Sequence, residues 1–80
     1  MAERKAAFEE QVRPEVGVKT KDYYLDVWDL PANREPLSDG GESLTWEWRS
    51  MDGRMGWQKT LIFSPEGLLK DYRWTHWPRK

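Results

Sequence analysis

Leu44-Thr45-Trp46-Glu47-Trp48-Arg49, Trp57-Gln58-Lys59-Thr60-Leu61-Ile62-Phe63 and Leu68-Leu69-Lys70-Asp71-Tyr72-Arg73-Trp74-Thr75-His76-Trp77 are short runs rich in aromatic and branched residues. Met51-Asp52-Gly53-Arg54-Met55-Gly56 separates the first two, and Ser64-Pro65-Glu66-Gly67 the last two. In the first run, Leu44, Trp46 and Trp48 alternate with Thr45, Glu47 and Arg49, the period of a half-buried strand. Ser64-Pro65-Glu66-Gly67 is a turn: proline pre-sets φ at its second position, and glycine takes the left-handed conformation of a bulged hairpin. The runs therefore read as a three-stranded antiparallel β-meander over residues 44–77. A sheet that small needs a covering element, and only the first half of the chain can supply it.

Ala2 to Val12 is dominated by good helix formers, with Phe8 and Val12 four apart, and Pro14 stops the segment at about Arg13. Two apolar positions anchor this N-terminal helix (residues 1–14) weakly, so fraying is expected. Thr20 is an expected N-cap, its hydroxyl accepting from the backbone of Asp22 or Tyr23. Tyr24, Val27 and Trp28 then form one apolar face of a second helix over residues 20–30, ended by Pro31. Ala32 to Glu42 is rich in turn formers and reads as the longest loop. The expectation is one α+β domain over residues 1–80 in the order αα-βββ.

Composition narrows the function classes. With 80 residues the core is small, and without cysteine it has neither disulfides nor a zinc-thiolate site. Charged residues make up 34% of the chain and no long apolar run interrupts them, so no membrane span is expected. Met-Ala-Glu-Arg-Lys lacks the apolar core of a signal peptide. The compartment is either cytoplasmic or, if an export segment precedes this sequence, periplasmic or at the outer membrane. A net charge of −1 lacks the basic excess of a general nucleic-acid binder. Six tryptophans are the anomaly, enough for a core with aromatic surface to spare.

Gly17-Val18, Thr20 opening a helix, Tyr24, Val27-Trp28 and Pro31, followed by a polar loop, Leu44-Thr45-Trp46-Glu47-Trp48, Leu61-Ile62-Phe63, Gly67 and Leu68-Leu69, form an ordered set. That set resembles the SmpA/OmlA domain of small outer-membrane lipoproteins, a family that includes the BamE subunit of the β-barrel assembly machinery. The resemblance covers roughly residues 16 to 74, and its motifs are hydrophobic and turn-based. Lys19 adds one residue to the usual spacing, Asp29 stands where the family ends its helix with glycine, and no lipid-acceptor cysteine precedes the domain. Aspartate tolerates the left-handed conformation required there better than most residues do. The resemblance implies helices packed on a three-stranded sheet and a non-enzymatic scaffold role in a bacterial envelope.

Catalytic chemistry finds little to use. His76 is the only histidine, and neither Ser38 nor Ser64 has nucleophile-elbow spacing. Asp22, Asp26 and Asp29 fall at i, i+4 and i+7, a spacing that could hold a hard cation, but a solvated face opposite Tyr24, Val27 and Trp28 accounts for them. Asp39-Gly40-Gly41 lacks the lysine and the strand-to-helix setting of a phosphate loop. No catalytic residue, cofactor, metal ligand or small-molecule substrate is expected.

Partner binding is the reading that remains. Trp57, Leu61 and Phe63 share a face, with Ile62 opposite. A bulge at Gly67 places Leu69 on that core face, and unbroken alternation then sends Tyr72 and Trp74 to the other one, beside Ile62. One short helix covers one face, unless Ala2 to Val12 folds over the second. An uncovered aromatic and aliphatic face is what monomers avoid and interfaces use. The expected contact residues are Ile62, Tyr72, Arg73, Trp74 and Trp77. They would serve a protein partner or self-association, in an envelope assembly factor or in a phage-type or inhibitory regulator of one host protein. The alternating aromatics and bases of Tyr72 to Lys80 also fit a single-stranded nucleic-acid binder, the reading from a different class.

Overall fold

The computed structural model describes residues 2–78, and Arg79 and Lys80 of the C-terminal basic run lie outside the described residues. The order is α1 (Ala2–Val12), a 3-10 turn (Arg13–Glu15), α2 (Lys21–Val27), β1 (Asn33–Pro36), β2 (Glu42–Arg49), β3 (Gly56–Phe63) and β4 (Leu69–Trp77). The fold is α+β, as the patterning predicts, but the antiparallel sheet has four strands in the order β1-β2-β3-β4 rather than three.

The additional strand lies inside the expected loop. Asn33-Arg34-Glu35-Pro36 is exposed at every position, so it carries no apolar alternation for a sequence reading to find. Backbone pairing makes it a strand, with Asn33 opposite Thr45 and Pro36 opposite Glu42. Charged residues and a terminal proline blunt this edge against pairing with another chain.

Pro14 ends α1 by tightening the chain into the 3-10 turn. Gly17, at φ +78°, reverses the chain so that residues 17–21 lie along the start of β4. There Gly17 N–H donates to Leu69 O at 2.7 Å, Leu69 N–H to Lys19 O at 2.9 Å, and Lys21 N–H to Gly67 O at 2.8 Å. Thr20 caps α2, its Oγ1 accepting from Tyr23 N–H at 3.3 Å. The helix ends at Val27, earlier than expected, and Asp29 takes the left-handed conformation at φ 65°. Aspartate thus does here what a glycine would do with less strain.

The core is Phe8, Val12, Tyr24, Leu44, Trp46, Leu61, Phe63 and Leu69. Its strand members all face the helices. Phe8 and Val12 are 5% and 0% exposed, so α1 is firmly packed rather than weakly anchored, and it shares the face that α2 covers. Phe8 lies against Trp28, Tyr72 and Trp74 at centroid distances of 6.3, 5.8 and 5.6 Å. Trp28 stands edge-on to Trp46 at 5.1 Å, which docks α2 on the sheet.

The expected register of β4 is wrong by one residue. Ile62 pairs with Asp71 and Phe63 with Leu69, leaving Lys70 as an extra residue in β4. One bulged residue inverts every later side chain. Leu69 faces the core as expected, but so do Tyr72 and Trp74, opposite Leu61 and Lys59. The other face carries Ser43, Thr45 and Glu47 from β2, Gln58, Thr60 and Ile62 from β3, and Asp71, Arg73, Thr75 and Trp77 from β4. It is a polar surface, tied across strands by the Thr45–Thr60 hydroxyl bond at 2.9 Å and by Gln58 donating to Glu47 at 2.6 Å. The aromatic face expected there does not exist.

Candidate interaction cleft

The residues expected to form one contact surface are divided between two faces. Ile62 and Arg73 lie on the polar face, joined at the sheet's far end by Trp77 under the Arg49 guanidinium at 5.4 Å. Tyr72 and Trp74 face α1. The structure brings Trp74 together with residues that the contact surface read from the sequence did not include.

Trp57, Lys59 and Leu61 occupy successive inward positions of β3. The inward lysine breaks an otherwise apolar series, and that break was the available sequence signal. Lys59 Nζ lies 3.8 Å from the Trp28 ring centroid and 5.4 Å from that of Trp57. Burial lowers its pKa below the ordinary lysine value, while the two ring faces offset part of the cost of keeping it charged. Among the described residues, no carboxylate is within ion-pair distance of it.

Trp57 and Trp74 stack across β3 and β4, with centroids 5.3 Å apart and planes 20° from parallel. The Trp74 indole N–H donates to His76 Nδ1 at 3.2 Å, so the histidine holds an indole in position. The Trp57 indole N–H is buried with no partner among the described residues, an uncommon deficit in a native interior.

Between this aromatic pair and α1 runs a cleft of about 220 Å³. Arg4, Ala7, Phe8 and Gln11 form the helix wall, and Trp57, Lys59 and Trp74 the sheet wall. Toward the β2–β3 hairpin the sheet outruns the helices. Trp48, expected in the core with Trp46, is therefore 42% exposed, opposite Trp57 and beneath Arg4 at 5.9 Å. Met51 and Met55 at the hairpin tip are also exposed. The tip is braced by Ser50 Oγ donating to Asp52 at 2.7 Å and accepting from Met55 N–H at 3.1 Å.

A larger hollow of about 340 Å³, bounded by Thr20, Lys21, Asp22, Pro65, Glu66 and Gly67, is a shallow groove over the α2 cap. Among the described residues no three of His, Asp and Glu converge as metal ligands, Asp22, Asp26 and Asp29 included. No helix there is long and apolar enough to cross a membrane. Comparison of the chain with protein-family models, with characterised proteins and with solved structures gives no match.

Proposed function

We propose that the chain is a non-enzymatic protein-interaction module whose partner seats on the hairpin tip and the adjoining cleft. The observation that carries this reading is the continuity of exposed Trp48, Met51 and Met55 with the half-buried Trp57–Trp74 stack. Aromatic and methionine side chains beside arginine are the usual material of interface centres. The stiff sheet under them lowers the ordering cost of binding. Two helices followed by an antiparallel meander also keep the element order of the SmpA/OmlA resemblance, with one more strand, which favours an assembly or scaffold role.

Site-directed photocrosslinking in an extract of the native host tests the reading. A benzophenone side chain replacing Met51 forms a discrete adduct, and one replacing Thr60 on the polar face does not. Adducts from position 60 alone would place the interface on the other side of the sheet and end the proposal.

A further inference from the structure

Among the described residues, the cations packed along the sheet divide into paired and unpaired ones. Lys21, Arg34, Arg49, Arg54 and Lys70 each lie within 4.0 Å of a carboxylate. Lys59, half-buried between α1 and the sheet and set against two indole rings, has none among the described residues. Among the described residues the cleft around it is lined by two cations and no carboxylate, although the whole chain carries 14 acidic residues against 13 basic ones. A half-buried ammonium held, among the described residues, by ring faces alone keeps most of its capacity for a charge-assisted hydrogen bond.

The size of the cleft limits its occupant. At about 220 Å³ it falls below the roughly 300–1,000 Å³ of small-molecule sites. A single side chain reaching in from a larger partner suits that volume. A nucleic-acid strand needs a track of successive cations; here Lys59 and Arg4 sit at one short cleft in a chain of net charge −1.

From these observations we infer that the cleft receives an acidic segment of the partner protein. One carboxylate side chain enters between α1 and the Trp57–Trp74 stack to meet Lys59, and a neighbouring apolar or aromatic residue lies on Trp48. Arg4, at the mouth, draws the acidic segment in. This inference rests on the interaction reading above and assigns its chemistry: an ion pair formed in a largely dry, aromatic setting fixes where the partner sits. Among the described residues the Trp57 N–H and the Lys59 ammonium lack polar partners, costs that the free chain carries at this place, and loss of free-state stability is a recurrent signature of a binding site.

The test is a titration of the isotope-labelled chain, followed by NMR through the Trp57 and Trp74 indole N–H signals and the Lys59 amide. The probes are an end-capped Gly-Phe-Glu-Glu-Gly peptide and its twin with both glutamates replaced by glutamine. The expected result is movement of all three signals by the glutamate peptide, with the glutamine twin about tenfold weaker or worse. Lys59→Met, which keeps the aliphatic stem, weakens binding to a similar extent, and Lys59→Arg retains it. The peptide comparison uses the unaltered chain, so the result stands even if Lys59→Met folds poorly. Equal binding of the two peptides, or no movement up to about 5 mM glutamate peptide, overturns the inference. So does a response of the same signals only to oligothymidylate or only to phosphatidylserine-containing vesicles. If Met51 crosslinks form while the two peptides behave alike, the interaction reading stands and the acidic-segment inference alone falls.

Discussion

Replacing Phe8 by alanine measures how much of the fold depends on α1. The ring is 5% exposed and contacts Trp28, Tyr72 and Trp74, so nothing nearby can refill its volume without shifting another large ring. Truncation of a buried phenylalanine costs about 3–5 kcal/mol. The lower end applies, because α1 is a terminal helix and can settle toward the sheet. A domain this size has a total stability of about 4–12 kcal/mol. A loss of about 3 kcal/mol then lowers Tm by about 12–24 °C. Urea and thermal unfolding followed by tryptophan emission and far-ultraviolet dichroism give the value directly. Phe8→Leu, which keeps most of the volume, should cost about 1 kcal/mol. A Phe8→Ala loss below about 1 kcal/mol would mean that α1 is not packed on the sheet, and the cleft would lose one wall.

Further outcomes follow from particular contacts. Gly41 is buried, and a Cβ there would run into the Phe63 carbonyl, which the β2–β3 ladder holds in place, so Gly41→Ala should cost about 2 kcal/mol or more in urea unfolding. Arg34 first, and then Lys21, hold the Glu42 carboxyl below its ordinary range through bonds of 3.0–3.2 Å. With the folded value depressed, this stabilisation is present above the unfolded glutamate pKa and is lost as pH falls through the folded value. Glu42→Gln should therefore cost about 0.5–1 kcal/mol at neutral pH, since these pairs are partly exposed, and the difference from the parent should close in acid. Lys59→Met should change stability by less than about 1 kcal/mol, because the relief of desolvation and the loss of two ring contacts oppose each other.

Much of this architecture is legible in the sequence, for identifiable reasons. The inward positions Leu44, Trp46, Leu61 and Phe63 follow from alternation, and all four are buried. Thr20 and Asp29 are local devices, a cap and a left-handed helix exit, whose chemistry depends on few neighbours. β1 gives no such signal, because an edge strand exposed at every position is specified by backbone pairing, not by a side-chain pattern. The anchoring of Phe8 was missed because its partners Trp28, Tyr72 and Trp74 come from elements distant in the chain.

Lys70 had the largest consequence. A single bulged residue reverses the parity of β4, so the same aromatics that would decorate an open face instead build a cleft under α1. That inversion parts Tyr72 and Trp74 from Ile62, Arg73 and Trp77, the other expected contact residues, and sets Trp74 beside Trp57 and Lys59. Period-two reasoning carries no information about such an inversion beyond the turn, because the pattern is apolar on both sides of it: Leu68 and Leu69 before, Tyr72 and Trp74 after.

The facing of β4 therefore decides whether the cleft exists, and ring-proton NOE contacts measure it most directly. With Phe8 and Trp74 centroids 5.6 Å apart and Phe8 and Tyr72 5.8 Å apart, both pairs should give strong cross-peaks. Trp74 should show none to the Thr60 or Ile62 methyl groups on the polar face. Cross-peaks from Trp74 to those methyls, with none to Phe8, would contradict the register, the cleft and the function built on it.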